Sequence, residues 1–347
     1  MGQQVRQRRQ GSINISAFNT KYTQTLSRGY WLREIHLKYS GTMTWGAAAN
    51  NAAASLGRAD EWSSLARIEL IANGTDVIRS FSGLGLKMLN RFLYGQTCRL
   101  SAQMGDGATA SPAFASYLII PIWQPMSVKP MDTALDTRKL SDLRLEITVG
   151  PSSDVQSAAA ATAINAILDI NLVESFGVEG DVSDCKIYTL QSALQATGSN
   201  QQITLPVTCL YRGVLVNFAQ GGGVNIADQP ADKITRIAFK SGTTVFREYA
   251  FDTVREWQRM RANQTRQLIQ TVAAGAGVSG GYVNTSRSLL ANEDAWAWLD
   301  FVQDGYLGEG IDALGLSEFY MEVDTNGATN PVATLFPVQI FPRRSAA

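Results

Sequence analysis

The chain has 347 residues, 45% apolar and 17% charged, and its 30 basic and 30 acidic side chains cancel to zero formal charge. That length buries roughly 75% of the unfolded surface and accommodates two domains, while the neutral balance gives no whole-molecule attraction to nucleic acid. A single histidine and three cysteines without a CxxC pair (Cys98, Cys185, Cys209) exclude the usual zinc patterns, and no apolar run is long enough for a membrane-spanning helix.

Residues 1–11 are polar and basic, with no apolar stretch to serve as a signal peptide and with Arg6 where a myristoylation motif needs Ser or Thr. They read as a flexible basic N-terminal arm. Its arginines, Arg6, Arg8 and Arg9, are candidates for contact with membrane lipid or a neighbouring subunit, at about 1 kcal/mol each near an anionic surface. From residue 12 the chain becomes a series of short apolar runs: GYWLREIHLKYSG (29–41), SYLIIPIW (116–123), DLRLEITVG (142–150) and AILDINLVESF (166–176). Each has strand length, β-branched and aromatic content and Gly, Pro, Asn or Ser at its borders. Long small-residue loops between them, such as 46–57 and 105–115, predict a β-sandwich rather than βαβ units.

The second half repeats this plan. In LARIELIANGTDVIRSF (65–81) and ITRIAFKSGTTVFREY (234–249), residues Arg67, Ile68, Gly74, Thr75, Val77 and Arg79 match Arg236, Ile237, Gly242, Thr243, Val245 and Arg247 after a one-residue gap. Ile68 and Leu70 alternate with Arg67 and Glu69, and Ile237 and Phe239 alternate with Arg236 and Ala238, so each copy predicts a strand with one apolar face. Asn73-Gly74 and Ser241-Gly242 supply the turns. A short helix is predicted after each hairpin, closing the sandwich with Leu86, Leu89 and Phe92 in one copy and Val254, Trp257 and Met260 in the other. Weaker echoes pair RGYWLRE (28–34) with RGVLVNF (212–218) and DLRLEITV (142–149) with EFYMEVDT (318–325).

Little in the sequence carries chemistry. A nucleophile–histidine site would have to use His36, which sits in a predicted strand, and an iron-binding jelly roll needs more histidines than one. GAGVSG (275–280) spells a dinucleotide fingerprint without the surrounding βαβ unit, and Gly221-Gly222-Gly223 reads as a loop tip. The carboxylates Asp136, Asp142, Glu146, Glu318, Glu322 and Asp324 are scattered, with Glu146 and Glu322 at equivalent repeat positions, as a structural role would place them. No catalytic residue, cofactor site or metal ligand is assigned.

The modules at 63–93 and 234–260, with SYLIIPIWQP, TRKLSDLRLEITVG and FVQDGYLGEGIDALGLSEFYMEVDTNGATN, resemble the double jelly-roll major capsid proteins of tailless icosahedral, membrane-containing viruses, the tectivirus and corticovirus-like phages. The resemblance spans most of residues 20–343. It implies an all-β fold of two eight-stranded jelly-roll sandwiches in tandem, 12–180 and 181–347, with short helices after the repeated hairpin. It further implies a non-enzymatic subunit whose homotrimers form pseudo-hexagonal capsomers, because two similar rolls per chain turn three-fold symmetry into near six-fold symmetry. Implied partners are neighbouring capsomers, minor capsid and penton proteins and inner viral membrane lipids, with no specific nucleic-acid site and no cofactor. The implied location is the virion capsid, assembled in the host cytoplasm. The arm would face the membrane or clasp neighbours, and loops 42–61, 95–115 and 264–292 would point outward or between subunits. A carbohydrate-binding or carbohydrate-active β-sandwich and a viral spike or receptor-binding protein are the alternatives.

Overall fold

A computed structural model of the chain describes residues 4–45, 61–95, 98–99, 113–124, 129–155, 161–176, 183–220, 233–261, 270–272, 282–284, 295–302, 304–328 and 330–341. The first half runs β1 (Gln4–Ile15), β2 (Lys21–Thr25), β3 (Trp31–Trp45), β4 (Leu65–Ala72), β5 (Asp76–Phe81), α1 (Gly83–Tyr94), β6 (Cys98–Arg99), β7 (Ala113–Pro121), β8 (Leu135–Asp136), β9 (Leu143–Val149) and β10 (Ala161–Phe176). The second runs β11 (Asp184–Ile187), β12 (Leu190–Ala193), β13 (Gly198–Thr204), β14 (Leu210–Gln220), β15 (Ile234–Ser241), β16 (Thr244–Ala250), α2 (Phe251–Arg261), β17 (Gln270–Val272), β18 (Tyr282–Asn284), β19 (Trp296–Asp300), β20 (Ile311–Asp312), β21 (Tyr320–Thr325) and β22 (Pro331–Phe341).

The pairings make the halves copies of one another. In the first, β1-β10-β3-β7 faces β2-β9-β4-β5, and β8 pairs with β3; in the second, β11 and β12 with β22-β14-β19 face β13-β21-β15-β16, and β20 pairs with β14. This is jelly-roll order, written twice. Local details repeat as well. Arg33 and Arg212 each bulge out of the ladder between β3 and β10 or between β14 and β22, and the carbonyl of each accepts a backbone bond at 3.0 Å, from Ile122 and Phe301 respectively. The hairpin turns are clasped alike: Asp142 Oδ1 accepts from Gly74 N at 2.5 Å and Glu318 Oε1 from Gly242 N at 3.0 Å.

Each hairpin–helix module forms as its sequence predicts. The one-residue gap is a difference in turn length, since Ala72 pairs with Asp76 whereas Ser241 pairs with Thr244. Positive φ falls on Asn73 (50°), Gly74 (81°) and Gly242 (55°), while Ser241 stays in its strand. α1 is capped by Ser82, whose side chain accepts from Gly85 N, and ends at the left-handed Gly95. An amide side chain docks each helix onto the edge of the neighbouring strand. Asn90 Nδ2 donates to Ile119 O at 2.7 Å and Asn90 Oδ1 accepts from Ile119 N at 2.8 Å. Gln258 does the same to Trp298, donating to its carbonyl and accepting from its N–H at 3.2 Å.

That clamp corrects the predicted face of α2. Phe251, Val254 and Gln258 turn inward, and Trp257 is 49% exposed rather than packed in the core. Leu86 and Leu89 of α1 are buried, as predicted, with Phe92 partly buried against them. The echo between RGYWLRE and RGVLVNF is also corrected. Trp31 and Leu32 pair with β8 as Leu210 and Tyr211 pair with β20, so Arg33, not Arg28, matches Arg212. The echo between 142–149 and 318–325 holds, since Glu69 faces Glu146 where Ala238 faces Glu322.

The arm is the third correction. Gln4 to Ile15 form a continuous edge strand on β10, broken only by a bulge before Gly11. Its polar composition suits an edge, and Ile13 and Ile15 bring its far end into the core. Of the predicted loops, 42–45 belong to β3, 98–99 to β6, 113–115 to β7, and 270–272 with 282–284 form a small hairpin. Glu61 opens a short 3-10 turn and Gly95 caps α1, while the rest of those loops, GAGVSG and the triple glycine lie outside the described residues.

Because the amide clamps satisfy two backbone groups each at a buried strand edge, Asn90→Leu and Gln258→Leu are each expected to cost about 2 kcal/mol. Denaturant unfolding checks this; variants with unchanged midpoints would show that the clamps are idle.

Candidate assembly surfaces

The two rolls share one sheet. β5 at the edge of the first half runs parallel to β11 at the edge of the second, with Arg79 beside Ile187, so β19-β14-β22-β11-β5-β4-β9-β2 is continuous. The joint is centred on Arg79, which is fully buried. Its Nε donates to Pro121 O at 3.0 Å, Nη1 to Ile78 O at 3.0 Å and to Cys185 O, and Nη2 to Ile122 O at 2.6 Å. One guanidinium thus ties β5, the end of β7 and β11 together. Burial lowers its pKa from the ordinary arginine value.

Apolar packing backs the joint. Leu215, Trp296, Trp298, Phe336 and Val338 stand on strands of the second half yet belong to the core of the first. Phe336 lies between Phe81 and Trp296, with ring centroids 6.3 and 5.8 Å away. Gly85 admits it, since a Cβ there would sit 2.6 Å from Phe336 Cζ. A second core, containing Tyr211, Phe218, Phe239, Phe251, Phe301 and Phe319, fills the other roll. Cys185 and Cys209 are buried free thiols, and burial pushes Cys209 up to about 11.

The sequence-assigned arginines lie along β1. Arg6 and Arg8 bond the buried Glu174 at 2.8 and 3.0 Å, and Arg6 also covers the Tyr30 ring at 4.2 Å. The bond to Glu174 raises the Arg6 pKa. Arg9 pairs with Asp169 at 3.0 Å and keeps 71% of its side chain exposed. The structure therefore brings Arg6 and Arg8 together on one carboxylate and sets Arg9 apart.

His36 lies on β3, where Nε2–H donates to Glu34 at 2.8 Å and Nδ1 accepts from the Tyr117 hydroxyl. Glu34 also accepts from Trp123 Nε1 at 2.8 Å. Burial alone would raise the Glu34 pKa, but the bonds from His36 and Trp123 outweigh it and hold the carboxyl below its ordinary value. The repeat-related carboxylates are likewise taken up by cations: Glu146 by Lys21 (2.5 Å) and Arg144 (2.9 Å), and Glu322 by Lys240 (2.5 Å) and Arg236 (3.5 Å). A cleft of about 250 Å³ beside the joint is lined by Asp76, Asp136, Lys139, Asp184 and Lys186, and within it Lys186 pairs with Asp76 at 2.5 Å. Among the described residues no group of three or more His, Cys, Asp and Glu side chains could hold a metal ion.

Sequence reasoning picked out Arg79 only as one of the repeated hairpin residues. Its mate Arg247 is exposed and bonds its own neighbour's carbonyl, Phe246 O, at 3.1 Å, as Arg79 bonds Ile78. The signal for the joint lies in context: β5 continues into buried residues, whereas β16 is exposed or half-buried along its length.

No family model and no curated protein matches the sequence. Among solved structures, the chain is similar to the major capsid protein of Sulfolobus turreted icosahedral virus, with TM-score 0.68, 15% identity and coverage of 98% of this chain and 97% of that one. It is similar to the major capsid protein P2 of bacteriophage PM2, with TM-score 0.56, 11% identity and coverage of 99% and 100%. A PBCV-1 capsid chain gives TM-score 0.59 at 8% identity, with coverage of 98% and 94%. These full-length likenesses establish the double jelly-roll fold.

Removing the guanidinium at the joint leaves four backbone carbonyls without their donor, so Arg79→Met is expected to cost about 3 kcal/mol or more. Arg247→Met in the isolated chain is expected to stay within about 0.5 kcal/mol. Equal unfolding midpoints for the two variants would contradict the asymmetry.

Proposed function

We propose that the chain is a major capsid protein, a structural subunit whose homotrimers form the pseudo-hexagonal capsomers of an icosahedral virion that encloses an internal membrane. The observation that carries this reading is the pair of repeated rolls joined side by side through one sheet, matched along its whole length by capsid subunits. A chain built this way presents two near-identical wedges. Three chains then offer six wedges, the outline that tiles a facet. The low share of charged residues, 17%, suits a surface largely covered by copies of itself, and obligate interfaces of this kind bury on the order of 2,000–5,000 Å².

On this reading the protein works by burying surface rather than by making bonds, and its partners are its own copies, neighbouring capsomers and the minor and penton proteins that close the shell. Arg9, in the middle of β1 with 71% of its side chain exposed, is the arginine of the three expected to meet a neighbour or a lipid phosphate. Light scattering on the purified full-length chain is expected to give trimers, with shells at higher concentration. A stable monomer at micromolar concentration would overturn the proposal.

A further inference from the structure

The two halves carry the same surfaces, but the chain covers each of them only once. The edge of the first hairpin, β5, is covered by β11, and the outer face of the second half's β22-β14-β19 sheet is covered by the first roll. Among the described residues, the edge of the second hairpin, β16, pairs with β15 alone, and β1, which occupies the place of β11, pairs with β10 alone. Both free edges carry exposed apolar side chains, Val245 on β16 at 45% and Val5 on β1 at 55%, with Trp257 at 49% on the adjoining helix. Unpaired strand edges with apolar residues are templates for another strand.

The repeat supplies the register. Ile187 pairs with Val338, which pairs with Gly213, the residue after the bulged Arg212. Gln7 pairs with Val173, which pairs with Glu34, the residue after the bulged Arg33. Gln7 therefore stands where Ile187 stands. Arg247 stands where Arg79 stands, each opposite an apolar strand residue, Phe239 or Leu70.

We infer that β16 of one copy receives β1 of a second copy in parallel, with Gln7 beside Arg247 as Ile187 lies beside Arg79 within the chain. The inference rests on the proposed self-assembly and specifies its contact. The two free edges differ from one another, so the contact is head-to-tail and each copy is left with one edge of each kind until a ring closes. Arg247, exposed in the single chain, then takes the role of Arg79 and donates to carbonyls of the incoming strand. Trp257 is covered by the neighbour's β10-β3-β7 face, the counterpart of the sheet that covers α1 within the chain.

The test is disulfide trapping. Adjacent strands lie about 4.8 Å apart, within the reach of a disulfide. Both positions are exposed in the single chain, so Gln7→Cys and Arg247→Cys are expected to leave the thermal midpoint of the dilute, unassembled chain unchanged. The double variant, oxidised and run without reductant, is expected to shift from single chains to covalent multiples. An equimolar mixture of the two single variants is expected to give linked pairs, and each single variant alone none. Oligomers that persist in light scattering without any cross-link would overturn this edge contact while leaving self-assembly intact. Pairs from a single variant alone would overturn its head-to-tail sense. An unsubstituted chain that is monomeric at every concentration would overturn the self-assembly on which the contact rests.

Discussion

Everything in this fold hangs on a buried arginine that bonds backbone carbonyls of three separate segments. Arg79 is the point at which two sandwiches become one object, because its guanidinium holds β5, the end of β7 and β11 in a single layer. Burying an arginine is costly, and the cost is tolerable because its donors are satisfied by carbonyls fixed in place by the sheet around them. Phe336 against Gly85 and Phe81 then excludes water from the same seam. Without that seam the chain would be two independent rolls on a tether, with no fixed angle between them.

The duplicated architecture explains where the halves differ. Positions that face the seam in the second roll are Leu215, Trp296 and Phe336, and the corresponding positions of the first are His36, Tyr117 and Asn171. The first set is buried within the chain, whereas the second is half-buried and polar enough to be tolerated in water. The hairpins diverge in the opposite sense, with β5 inside and β16 outside. Identical local structure combined with different burial is what an interface used once within a chain and once between chains requires. The conserved geometry of the Asp142 and Glu318 turn clasps and of the Asn90 and Gln258 clamps shows how little the roll itself changed.

Much of the fold was legible in the sequence because hairpins are local. Alternation in Arg67–Leu70 and Arg236–Phe239, with glycine turns at fixed places, identifies the repeat without any long-range information. Features that depend on distant partners were not legible. The arm looks disordered because Arg6 and Arg8 are explained only by Glu174, far along the chain. Trp257 looks like a core residue at helical spacing, but Gln258 is drawn to the β19 edge and turns the helix. The echo around Arg28 slipped because a bulge shifts the ladder at Arg33, and a one-residue bulge leaves no mark in composition. The seam itself was hidden for the same reason, as Arg79 and Arg247 read identically until their surroundings are known.

Hydrogen–deuterium exchange across a dilution series tests most directly whether one interface serves twice. The amides of the buried part of β5, residues 78–81, are expected to be protected at every concentration, because β4 and β11 flank them within the chain. Those amides of β16, residues 244–250, that face away from β15 are expected to be protected when the protein is assembled and to exchange quickly when it is diluted to single chains. Equal protection of the two hairpins in single chains, or a β16 whose exchange ignores assembly, would contradict the account.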